Sequence, residues 1–202
     1  MNRLLPLSLA AALWAGASHA ATVEVAVQGS DGKPLADAAV FLESREARAL
    51  LKPAAGLEIE QAAKQFTHRV SIVPLGSEVA FPNRDKVRHH VYSFSPVKTF
   101  ELKLYSGTPA NPVLFDKSGI AVIGCNIHDN MVAWVVVVET PYYALSGATG
   151  KVRLDNVPAG TYRLRTWHAT LATGAPALDQ ELVVPAAGST LAVRLPLPGA
   201  AR

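Results

Sequence analysis

Short runs of apolar residues at every second position, each cut off by glycine or proline, recur along almost the whole chain and leave little room for anything but β-structure. Thr22 to Gln28 places valines at 23, 25 and 27, the turn residues Gly29 to Leu35 follow, and Ala38-Ala39-Val40-Phe41-Leu42 comes next. A period of two presents one face of a strand to a core, and the intervening glycines suit a tight turn. Between Phe66 and Thr140 the runs 70–73, 78–81, 90–94, 100–104, 113–115, 121–123 and 132–139 are punctuated by Gly76, Pro82-Asn83, Ser106-Gly107 and Lys117-Ser118-Gly119. Beyond Pro141, residues 150–154, 157–165, 181–184 and 191–195 continue the pattern. Short strands at this spacing predict an all-β chain built from sandwiches. Val135 to Val138 does not alternate, as expected of a strand covered on both faces. Residues 44–65 are richer in Ala, Glu, Arg and Lys and are broken by Pro53 and Gly56, so they read as a connection holding one short helix or strand.

The chain has 202 residues, half of them hydrophobic, enough for one or two domains with cores of their own. Its net charge is only +3 and no basic run could track a phosphate backbone, which argues against nucleic acid as a partner. Arg3, the apolar stretch Leu4 to Ala15 and the small-residue end Ser18-His19-Ala20 make residues 1–20 read as a cleaved secretory signal. That stretch is shorter than the ~20 apolar residues a membrane-spanning helix needs, and no second span follows it. The expectation is an exported, periplasmic protein. Gly147 to Lys151 superficially suggests a phosphate loop, but the glycines are too close together and Val152 stands where Ser or Thr is required.

Export makes the single cysteine informative. One cysteine forbids an internal disulfide, and a free thiol in an oxidising compartment needs burial, a partner chain or a metal. Cys125-Asn126-Ile127-His128-Asp129-Asn130-Met131 spaces a thiolate, an imidazole and a thioether three residues apart, between two expected strands. Such a loop can turn all three donors towards one point. Soft sulfur ligands with imidazole select copper, and two His and one Cys with a distant Met form an electron-transfer copper site. A second histidine is then required, and His89 and His90 are the candidates.

Here the sequence resembles the cupredoxins, the small blue-copper proteins, and within them the amicyanin and plastocyanin-like branch. The resemblance covers about Phe66 to Thr140 and rests on Asn83, on the histidine six residues later, and on the Cys-x-x-His-x-x-Met loop. It implies a Greek-key β-sandwich over residues 66–140, with His89, Cys125, His128 and Met131 as copper ligands. Alternating faces then exclude His90. His90 departs from the family, which commonly has Asn there to tie the two ligand loops together, so that link must be made differently, for instance by an imidazole N–H. Asp129 and Asn130 also depart, replacing a more apolar rim, and a carboxylate beside copper favours Cu(II). The implied activity is single-electron transfer with a redox partner protein, a dehydrogenase or a cytochrome, for example beside an amine or similar dehydrogenase, and no enzymatic reaction of its own.

Residues 21–43 and 141–197 resemble the two halves of a carboxypeptidase regulatory-like domain, a small transthyretin-like β-sandwich. That resemblance implies a second, discontinuous sandwich with the copper module inserted, although residues 22–42 could instead add edge strands to the copper module. Zinc is the main alternative metal, but it has no use for Met131. A Cys-His hydrolase lacks a recognisable orienting group. A copper chaperone, or a partner-binding sandwich with a secondary metal site, are the other functional readings. Tyr92, Phe94 and Trp134 are expected in the core, and His68 and His168 are expected to be structural.

Overall fold

The computed structural model describes residues 20–172 and 174–196. The expected signal thus lies outside the described residues except for Ala20, which opens the first strand. The chain is all-β. It begins with β1 (Ala20–Gln28), β2 (Ala39–Glu43), the helix α1 (Arg45–Leu50), β3 (Leu57–Glu58), β4 (Gln61–Ala62) and β5 (Gln65–Phe66). It continues with β6 (Val70–Pro74), β7 (Ser77–Ala80), β8 (His89–Ser95), β9 (Lys98–Tyr105), β10 (Val113–Phe115), β11 (Gly119–Cys125) and β12 (Val132–Val138). It ends with β13 (Tyr143–Leu145), β14 (Lys151–Pro158), β15 (Gly160–Trp167), β16 (Leu178–Val184) and β17 (Ser189–Arg194).

Four larger sheets stack in layers. A three-stranded sheet, β14-β1-β17, faces a four-stranded sheet, β13-β2-β15-β16. A five-stranded sheet, β6-β12-β11-β8-β9, faces the three-stranded β10-β7-β3. β7 and β10 lie opposite their sequence neighbours β6 and β11, so the chain crosses between layers as a Greek-key sandwich requires. β1 and β2 pair with β13, β14, β15 and β17, and with no strand of the five-stranded sheet. Residues 44–65 hold α1, β3 and β4. Ser44 caps α1 by accepting from the Ala47 amide at 3.0 Å, while β3 joins β7 in parallel.

Alternation assigns each layer its core. Val40 and Leu42 of β2 point into a core with Val23, Val25, Val27 and Leu164, whereas Ala39 and Phe41 point the other way. β12 behaves likewise: Val135 and Val137 join Val79, Phe115 and Ile123, while Val136 and Val138 meet Phe41 and Trp167. The unbroken valine run is therefore a strand buried on both faces, with one face to its own sandwich and the other to the neighbouring one. Each fully buried valine contributes about 1.5–3 kcal/mol relative to exposure, so this third core binds the two sandwiches firmly.

The expected core aromatics are corrected by the same alternation. Phe94 is 74% exposed and Tyr92 is half-buried, because the even positions of β8 face away from the core that holds Val91; Trp134 is also half-buried, but it packs at the edge of the third core with Val136 and Val138. The Tyr92 ring sits close against Gly124, where a side chain would press on it. Trp134 lies under the Arg69 guanidinium and packs at a tilt against Trp167.

Candidate metal centre

β8 delivers His89 and β11 delivers Cys125. The two strands are hydrogen-bonded neighbours in register, with Cys125 opposite Val91, so a histidine at the start of one strand and a cysteine at the end of the other meet at the same end of the sheet. Alternation turns His89 inward, where it is fully buried, and turns His90 outward onto Glu101 Oε1 at 2.8 Å. The loop after Cys125 is closed by two backbone bonds, from the Met131 amide to the His128 carbonyl at 2.9 Å and from the Cys125 amide to the Met131 carbonyl at 3.1 Å. That closure folds His128 back over the strand end.

The result is a compact donor cluster. Cys125 Sγ stands 3.8 Å from Nδ1 of His89 and 3.8 Å from Nδ1 of His128. One ligating atom from each of the three residues lies within 4.8 Å of the others, and the two imidazole rings pack edge to face. Nitrogen and sulfur donors bound at about 2.0 and 2.3 Å to one ion, 120° apart, are ~3.8 Å from each other, so the donor spacing fits a shared trigonal centre. Met131 is buried in the same core cluster as Cys125. His128 is half-buried, and Asp129 and Asn130 are exposed. His89, Cys125 and His128 are therefore brought together at one end of the sandwich, with His89 and Cys125 inside and His128 at the rim, while Met131 is buried in the adjoining core.

The loop before β8 is organised by Asn83. Its side-chain amide donates to the carbonyls of Val87 and Tyr105 at 2.9 and 3.0 Å, and its oxygen accepts from the Asp85 amide at 2.9 Å. The expected link through the His90 imidazole is not what joins the two ligand loops. Instead the Asn126 amide donates to the His90 carbonyl at 3.1 Å, because the outward turn of that ring leaves only the backbone facing the other loop. Beneath the site, the Tyr105 hydroxyl bonds Gln61 Oε1 and the Phe81 carbonyl, and burial pushes its pKa up to about 12.

Sequence reasoning missed Asp85. Its Oδ2 lies 2.8 Å from His89 Nε2 and accepts from the Lys64 amide at 2.9 Å, while Oδ1 accepts from the Ala63 amide at 2.8 Å. Burial alone would raise this carboxyl, but the hydrogen bonds from His89, Lys64 and Ala63 outweigh it and hold the group below the usual carboxylate range. His68 is exposed, and His168 bonds the Ala36 carbonyl and Thr170 Oγ1 far from the cluster.

No known family profile and no curated protein sequence matches the chain. Among solved structures, a reduced amicyanin mutant aligns at 22% identity and a TM-score of 0.37, over 49% of this chain and 98% of its own. An amicyanin mutant in the Cu(I) state aligns at 20% identity with the same coverage and TM-score. A purple cupredoxin from Nitrosopumilus maritimus aligns at 19% identity and 0.36, over 41% of this chain and 99% of its own. Among the described residues no helix is long and apolar enough to cross a membrane.

Proposed function

We propose that this protein binds one copper ion through His89, Cys125, His128 and Met131 and acts as an exported single-electron carrier. The observation that carries this reading is the placement of the Cys125 sulfur 3.8 Å from each of two imidazole nitrogens. A lone thiolate, two imidazoles and a thioether are the donors that select copper over zinc or the hard cations. Bound there, copper supplies a one-electron change between Cu(I) and Cu(II).

The protein's own residues do the rest. Cys125 gives up its thiol proton when it ligates, so loading is favoured as pH rises. His89 is held on a strand and by Asp85, and the seven-residue loop from Cys125 to Met131 is closed by its own backbone bonds, so the donors change position little between oxidation states. Burial of His89, Cys125 and Met131 favours a closed carrier over a chaperone, whose site must be open for rapid exchange. His128 sits half-buried at the rim, where a redox partner can approach. The partner fitting this reading is a periplasmic dehydrogenase, of amine or similar substrates, or the acceptor that follows it.

The Cu(II)-loaded protein is expected to show an intense visible thiolate-to-copper band, lost in Cys125→Ser and bleached reversibly by a mild reductant. A colourless, redox-silent protein overturns the proposal.

A further inference from the structure

The short hairpin β4–β5 is built in an unusual way. Its two turn residues, Ala63 and Lys64, both adopt left-handed backbone, with φ of 53° and 58°. A two-residue turn of this kind is the province of Asn-Gly or Gly-Gly, and neither residue here is glycine. Non-glycine residues in that region are strained and persist only where their surroundings hold them. The holding group is visible: both turn amides point at one carboxylate, that of Asp85. A third bond, from the Asp85 amide to Asn83, fixes the backbone from which this carboxylate projects.

The remaining contact of Asp85 is His89. An ionised carboxylate can only accept, so the ring nitrogen facing it, Nε2, carries the hydrogen. In a neutral imidazole the other nitrogen then has the free lone pair, and that nitrogen is Nδ1, the one beside Cys125. Because His89 is fully buried, no water competes for Nε2. The hairpin, the loop and the histidine form one chain of hydrogen bonds ending at a ligand atom.

We propose that Asp85 is a positioning residue of the metal centre: clamped by the Ala63 and Lys64 amides, it fixes His89 as the Nε2–H tautomer and places a negative charge behind that ligand. This rests on the copper reading given above. Carboxylate partners of ligating histidines raise ligand basicity, and their loss typically costs about 10–100-fold in metal affinity. The added negative charge favours the more highly charged ion, so Asp85→Asn should weaken Cu(II) more than Cu(I) and raise the reduction potential. Each tenfold difference between the two affinities is about 59 mV for one electron.

The test combines imidazole nitrogen NMR on the metal-free protein with potentiometry on the copper form. Metal-free wild type should show His89 as the Nε2–H tautomer, and Asp85→Asn should lose that bias and raise the potential. A merely structural Asp85 would alter unfolding in Asp85→Asn while leaving the potential and the visible band in place. Wild type with His89 protonated on Nδ1 overturns the inference without need of any variant. A wild type that binds no copper but shows the Nε2–H tautomer removes the copper reading and leaves the clamp standing, whereas copper binding with an unmoved potential in the variant does the opposite.

Discussion

Tyr105 packs against the core that holds Cys125, with its hydroxyl shared between Gln61 and Phe81, and it supplies an alkaline limit to stability. Its phenol is raised to about 12 in the fold, mainly by burial, against an ordinary value of 10.0. Below pH ~10 the phenol is neutral both folded and unfolded, and the contribution is fully present; as pH rises towards ~12 the unfolded chain ionises first and the contribution is lost. Denaturant unfolding followed from pH 8 upwards should show that decline in wild type and a flatter profile in Tyr105→Phe. The variant should be less stable at neutral pH by about 1–3 kcal/mol, since Gln61 is fully buried and loses its partner. At this scale the sequence was legible where spacing encodes chemistry: Cys125, His128 and Met131 lie three apart, and period-two alternation separates His89 from His90. Asp85 was hidden because Arg84-Asp85-Lys86 reads as an ordinary solvated charge run. Only the distant hairpin turn, more than twenty residues upstream, reveals what its oxygens accept.

Among the elements, the turn from Gly147 to Lys151 shows how a glycine can be obligatory without touching a ligand. Gly150 has φ of 72°, its carbonyl accepts from the Val27 amide at 2.8 Å, and a side chain there would run into the Val27 carbonyl. Gly150→Ala should therefore destabilise the protein by well over ~1 kcal/mol, whereas Gly147→Ala, with open space at its position, should not. Paired thermal melts decide it. This is the segment whose glycines resemble a phosphate loop, and close backbone packing accounts for the second of them. Most strands follow from alternation, including those of the metal module. The strands that escaped notice are β3, β4 and β5, each two residues long, and β13, whose uniformly half-buried residues carry no alternation. Their existence depends on pairing partners elsewhere in the chain, which local pattern cannot supply.

For the molecule as a whole, the decisive feature is the third core, in which Phe41 from one sandwich meets Val136 and Val138 from the other. Phe41 is 5% exposed and is also covered by the Arg165 guanidinium. Phe41→Ala should lower the unfolding free energy by about 3–5 kcal/mol. Val122→Ala, on the exposed side of the five-stranded sheet, should stay within about 0.5 kcal/mol. Denaturant titrations of both variants check the contrast. The valine run at 135–138 announces a doubly covered strand in the sequence, but nothing in it says that the second cover is the other sandwich.

The parallel pairing of β1 with β17 imposes an order of events on a newly made chain. Every strand of the five-stranded sheet lies between residues 70 and 138, so this sandwich can close on contacts within its own stretch. The outer sandwich cannot: its first strand must wait for one ending at Arg194, across the whole intervening chain, and such distant closures are slow. On refolding from denaturant, the cluster of His89, Cys125 and His128 should regain its geometry before β1 is protected from hydrogen exchange, with the valine face of β12 left bare until the outer layers arrive.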